Sequence, residues 1–104
     1  MTLNTFNKKL WGTAIRPRVA IFRSNRAITA QFIDDEKGVT ILGMSSKSIK
    51  SGKPVEKAFA LGEELAKIAK TKKIVEVIYD RSNFKYHGQV KSLAEGLRKG
   101  GLVF

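Results

Sequence analysis

The sequence contains no cysteine, only two prolines and a single histidine. Without thiols, a disulfide framework and thiolate chemistry are excluded, and a reducing compartment is permitted. One histidine with no cysteine beside it argues against a transition-metal site. Apolar runs are no longer than the four residues of Val19–Phe22, so no segment reads as a bilayer-spanning helix. The opening stretch MTLNTFNKKLWG lacks a signal-peptide core of sufficient length. Acids are scarce at the front of the chain, where the first is Asp34. Internal repeats and low-complexity tracts are absent.

What is abundant is positive charge. Twenty Lys and Arg oppose nine Asp and Glu, a formal net charge of +11 on 104 residues. That length makes one domain with one modest core, and the 42% hydrophobic content is that of a globular chain. Such an excess is not needed for folding; it implies a polyanionic partner. The cations are segregated as well as numerous. Lys8, Lys9, Arg16, Arg18, Arg23 and Arg26 precede any acid, and Lys37, Lys47, Lys50 and Lys53 fall in a second acid-free stretch. A third stretch, from Arg81 to Ala94, holds Arg81, Lys85 and Lys91. Three segregated runs predict one continuous basic face.

The pattern of elements is βββαβα. Residues 1–15 read as a basic arm and 16–104 as the folded domain. RVAIFR (Arg18–Arg23) is a strand after Pro17, and Ser24-Asn25 turns it into a second strand over Ala27–Ile33. In that strand Ile28, Ala30 and Phe32 alternate with Thr29 and Gln31, so one face is packed and the other is wet or bound. DDEKG (Asp34–Gly38) is a hairpin turn into a third strand, Val39–Met44. Ser45–Lys53 is a basic loop whose GK pair lacks the order of a phosphate-binding P-loop. Pro54 suits a first helical turn, and Ala58, Leu61, Leu65, Ile68 and Ala69 form a helical stripe to Lys70. Gly62 lies on that stripe and predicts a close approach to the sheet. A fourth strand spans Ile74–Tyr79, parallel to the third and beside it or one strand away. A second helix spans Gly88–Lys99 with Gly100 as its stop, and Leu102–Phe104 returns to the core. The fold class is therefore α/β: an antiparallel three-strand meander plus a parallel strand, with helices mainly on one face. The other face, with Thr29, Gln31 and the hairpin cations, is left free.

Between the fourth strand and the second helix lies YDRSNFKYHGQVK (Tyr79–Lys91), where rings and cations surround one glycine. Cations and helix N-termini bind phosphate, and rings stack on unpaired bases, so this is an RNA-recognition composition. Alternation sends one of Phe84 and Tyr86 inward and the other toward RNA. His87 suits a capping or phosphate-contact role. Arg23, Asn25 and Arg26 form a hairpin tip whose guanidiniums can fork onto phosphate. Clustered aspartates could instead mean a metal-dependent nuclease. Asp34 and Asp35 sit in a turn and Asp80 adjoins Arg81, which favours turn-forming and ion-paired roles over catalysis.

RPRVAIFRSN (Arg16–Asn25), AQFIDDEKG (Ala30–Gly38), YDRSNFKYHGQVKSL (Tyr79–Leu93) and the terminal GLVF, in this order, closely resemble the bacterial family of ribosomal large-subunit protein eighteen. The resemblance covers about Gly12 to the C-terminus. It implies a ribonuclease H-like motif without catalysis, no cofactor and no small-molecule or membrane partner. It also implies a place on the cytoplasmic ribosome, binding 5S rRNA and helping attach it to 23S rRNA in the central protuberance beside large-subunit protein five. The RNA-facing positions it implies are Arg16, Arg18, Arg23, Ser24, Asn25, Arg26 and Gln31, then Arg81, Lys85, Tyr86, His87 and Lys91. The sequence departs from the family in a short, arginine-poor arm carrying Trp11. Gln89 also stands where arginine is usual, and Arg81–Phe84 replaces a glycine-rich loop.

Overall fold

In a computed structural model, which describes residues 11–24, 27–80 and 84–104, the chain folds as β1 (Arg18–Arg23), β2 (Ile28–Asp34), β3 (Val39–Ser45), a 3₁₀ turn (Ser46–Ser48), α1 (Pro54–Thr71), β4 (Ile78–Asp80) and α2 (Gln89–Lys99). The order βββαβα stands. β1–β2 and β2–β3 are antiparallel, and β1–β4 is parallel. The sheet order is β3-β2-β1-β4.

That order corrects one expectation. β4 is parallel to β3 in direction, but two strands separate them rather than one or none. Val19, Ala20 and Ile21 are all buried in succession, which is the pattern of an interior strand with partners on both sides. α1 rises about 1.5 Å per residue. Its 18 residues therefore carry the chain across the sheet to the free edge of β1. β4 is also shorter than the expected Ile74–Tyr79. Val77 N–H donates to the Val103 carbonyl at 3.1 Å, and Val103 N–H donates to Val75 at 2.9 Å. The C-terminal tail thus takes the hydrogen bonds that a longer β4 would have offered a neighbouring strand.

The core lies between one sheet face and both helices. Val19, Ile21, Ile28, Ala30 and Phe32 point from the sheet toward Leu61 and Leu65 of α1 and Leu93 and Leu97 of α2. Each large apolar side chain buried in this way contributes about 1.5–3 kcal/mol. α1 starts at Pro54, where the missing N–H costs nothing, and Glu56 accepts the Lys53 N–H at 2.9 Å. Lysine has no acceptor, so only this half of a reciprocal cap exists.

Gly62 approaches α2, not the sheet. A Cβ there would meet the Leu93 carbonyl oxygen and, at 2.7 Å, the Leu97 nitrogen. The facing residue is Gly96, whose Cβ would meet the Phe59 carbonyl oxygen. Two helices cross backbone to backbone where both lack side chains. α2 ends at Gly100, its expected stop, and the left-handed residue is the next one, Gly101 (φ 107°). Leu102 N–H reaches back to the Leu97 carbonyl at 3.1 Å, which turns Leu102 into the core.

Candidate nucleic-acid interface

Side chains alternate along β1, so its two terminal arginines fall on opposite faces of the sheet. Arg18 lies on the face without helices. Its Nε and Nη2 donate to Asp35 at 2.9 and 3.0 Å, and its Nη1 donates to Asp80 at 3.0 Å. Asp35 also accepts the Gly12 N–H at 2.7 Å, and its own N–H donates to the Gly12 carbonyl at 2.8 Å. The clamp ties the segment before β1, the β2–β3 turn and the end of β4 together. The Arg18 hydrogen bonds and the Gly12 N–H hold the Asp35 carboxyl down to about 2. The Asp35 hydrogen bond is also the main cause raising Arg18 above its ordinary range.

The aspartates are thus placed as turn and ion-pair residues. Asp34 is buried, and its Oδ1 accepts the Glu36 and Lys37 N–H groups at 3.0 and 3.2 Å. Asp35 and Asp80 both face Arg18. Among the described residues, no three His, Asp or Glu side chains converge as a metal site would need.

Arg23 sits at the other end of β1, in register with buried Ile28. The expected free face therefore holds Gln31 and Thr29 but not Arg23, which alternation places on the helix side. There it lines a cleft of about 570 Å³ with Lys53, Lys85 and His87. Pro54, Val55, Phe84 and Val90 supply the apolar wall, and Gln89 the remaining polar side chain. Among the described residues, no carboxylate lines it. The N-termini of α1 and α2 both open onto it, and the Ser92 hydroxyl donates to the Val55 carbonyl at 2.6 Å, which fixes one helix start against the other. The α2 N-cap is Gly88, with no side-chain cap, so His87 contributes to the cleft and not to capping.

The loop before α2 sends its rings in different directions. Phe84 is half-buried and packs against the core, whereas Tyr86 is exposed. Tyr86 borders a second hollow of about 360 Å³ with Arg16, Arg98 and Phe104. The Arg98 guanidinium lies 4.3 Å over the Phe104 ring, which stacks on Tyr79 at 5.4 Å. Tyr79 donates its hydroxyl to the Val90 carbonyl at 2.7 Å, and burial pushes its pKa up. It is a structural ring.

Of the positions expected to face RNA, the cleft gathers Arg23, Lys85 and His87, and the second hollow gathers Arg16 and Tyr86. Arg18 is in the clamp, and Gln31 is on the helix-free face opposite Gly43. The Ser24 hydroxyl donates to the Ala27 carbonyl at 3.3 Å. Lys91 is exposed on the first turn of α2 and lines neither hollow. Asn25, Arg26 and Arg81 lie outside the described residues. Sequence reasoning did not single out Arg98, and it saw Lys53 only as one member of a basic run and of a GK pair set aside as a P-loop. The signal for Lys53 was its place directly before Pro54, at a helix start.

Residues 4–104 match the family model for ribosomal L18 of archaea, bacteria, mitochondria and chloroplasts. Among curated proteins, the chain is 48% identical over 98 residues to the large ribosomal subunit protein uL18 of Lactiplantibacillus plantarum. It is 47% identical over 98 residues to that of Brachyspira hyodysenteriae and 50% identical over 99 residues to that of Lysinibacillus sphaericus. Each alignment covers 92% of this chain and 83% of the relative.

Proposed function

The chain belongs to the ribosomal L18 family, a structural constituent of the large ribosomal subunit and not an enzyme, and from that premise we propose that it binds 5S rRNA. In this reading it helps hold 5S on 23S rRNA beside large-subunit protein five in the central protuberance. Residues 16–104 form the RNA-binding domain and the preceding basic arm extends it. The observation that carries the reading is the cleft: among the described residues, three cations and His87 line it, and no carboxylate does. Arg23 and Lys85 come from separate elements and meet at the same opening. A rigid αβ frame thus presents them at fixed spacing to a folded phosphate backbone.

The double variant Arg23→Ala, Lys85→Ala tests this in a salt-dependent gel-shift titration with 5S rRNA. If both cations contact phosphate, the slope of log affinity against log salt should shrink by about 2, and binding near physiological salt should fall at least about tenfold. Wild-type affinity and slope in the double variant would remove the cleft from the interface.

A further inference from the structure

We infer that the cleft between Arg23, the start of α1 and the residue 84–90 segment accepts a single unpaired nucleotide of the bound RNA, with its base against Pro54, Val55 and Phe84 and its phosphate at Arg23 and Lys85. The inference rests on the RNA-binding reading and names what the site takes. Backbone phosphates alone would be served by cations on a convex surface. Here the cations rim a concavity whose wall is apolar, and Val55 is left 47% exposed in it. At about 570 Å³ it falls within the roughly 300–1,000 Å³ of sites that enclose small organic ligands.

An unpaired nucleotide matches both halves of that lining. Its flat base covers apolar surface, and its phosphate needs the cations. A paired base is stacked within its helix and has its edge occupied, so it cannot enter. Gln89 is half-buried in the lining, and its amide both donates and accepts, as reading a base edge requires. The cleft is also preformed. The Ser92–Val55 hydrogen bond and the close Gly62–Gly96 crossing hold α1 against α2, so little ordering is lost on binding.

Val55→Trp in the full chain fills the cleft and leaves every cation in place. With 5S rRNA, affinity should fall about tenfold, the loss expected when one stacked base is expelled. The salt slope should stay at the wild-type value because no phosphate contact is removed. Undiminished affinity in Val55→Trp, while the wild type binds, overturns the nucleotide pocket and leaves the RNA-binding reading intact. Failure of the wild type to bind 5S rRNA overturns that reading as well. A second measurement needs no variant. Ultraviolet crosslinking of the wild-type complex should attach a nucleotide to peptides containing residues 53–57 or 84–89, and chemical probing of that RNA should show the nucleotide unpaired. Adducts confined to other peptides, or mapped to paired nucleotides, overturn the inference.

Discussion

Arg18 opens β1 and Arg23 closes it, about 17 Å apart along the strand. They belong to one motif, yet their surroundings are opposite. Arg18 meets two carboxylates through three hydrogen bonds. Both ion pairs found among the described residues are its own. Arg23 is exposed and faces the other side of the sheet, and among the described residues no carboxylate shares its cleft. A guanidinium bonded on three sides holds chain segments together and offers little to a new anion. One without a carboxylate keeps its full charge for a partner. Net charge therefore overstates the binding surface, because part of it is neutralised inside the fold.

The sharpest way to break this comparison is to truncate Arg18. Arg18→Ala removes three charge-assisted bonds and unties the Gly12 segment and the β2–β3 turn from β4. Stability should fall by about 2–3 kcal/mol, measured by urea unfolding. A loss below about 0.5 kcal/mol would make the clamp a surface ion pair of no structural weight.

Acid should produce a smaller effect in the same place. Asp35 binds its proton less readily in the fold, near 2, than in the unfolded chain. Its contribution is therefore complete above the unfolded carboxyl range of about 4 and is lost as pH falls from there through about 2. The wild type should lose stability over that window. Asp35→Asn should be less stable at neutral pH, by about 1–2 kcal/mol, and should show a flatter acid limb. Parallel acid limbs for the two proteins would show that other carboxyls set the pH dependence.

Local rules made most of the frame legible. The alternation of Ile28, Ala30 and Phe32 marked the buried face of β2, and Pro54 with its helical stripe marked α1. The position of β4 was misjudged because helix length and strand count do not say which sheet edge a crossover reaches. The continuous burial along Val19–Ile21 carried that information. Gly62 signalled a close approach without saying to what, since its partner, Gly96, lies far off in sequence. The site was harder still. Its residue types were visible, but the carboxylates that occupy Arg18 come from a turn and from a strand brought alongside β1 only by folding. Parity along β1 was readable, and it separates Arg23 from Gln31. The helix starts that complete the cleft around Arg23 are tertiary neighbours.

The smallest stability effect belongs to the other end of β1, and there the comparison is most exposed. Arg23→Ala should change unfolding free energy by no more than about 0.5 kcal/mol, because no carboxylate is orphaned. RNA affinity should still drop, with the salt slope reduced by about 1. Arg23→Lys should restore the slope, since an ammonium also neutralises a phosphate. Any affinity it fails to recover measures the forked geometry that only a guanidinium supplies. The same exchange at Arg18 should cost stability, because lysine cannot bridge Asp35 and Asp80 through three separate nitrogens. If Arg18→Lys were harmless and Arg23→Lys destabilising, the roles given to the two ends of β1 would be reversed.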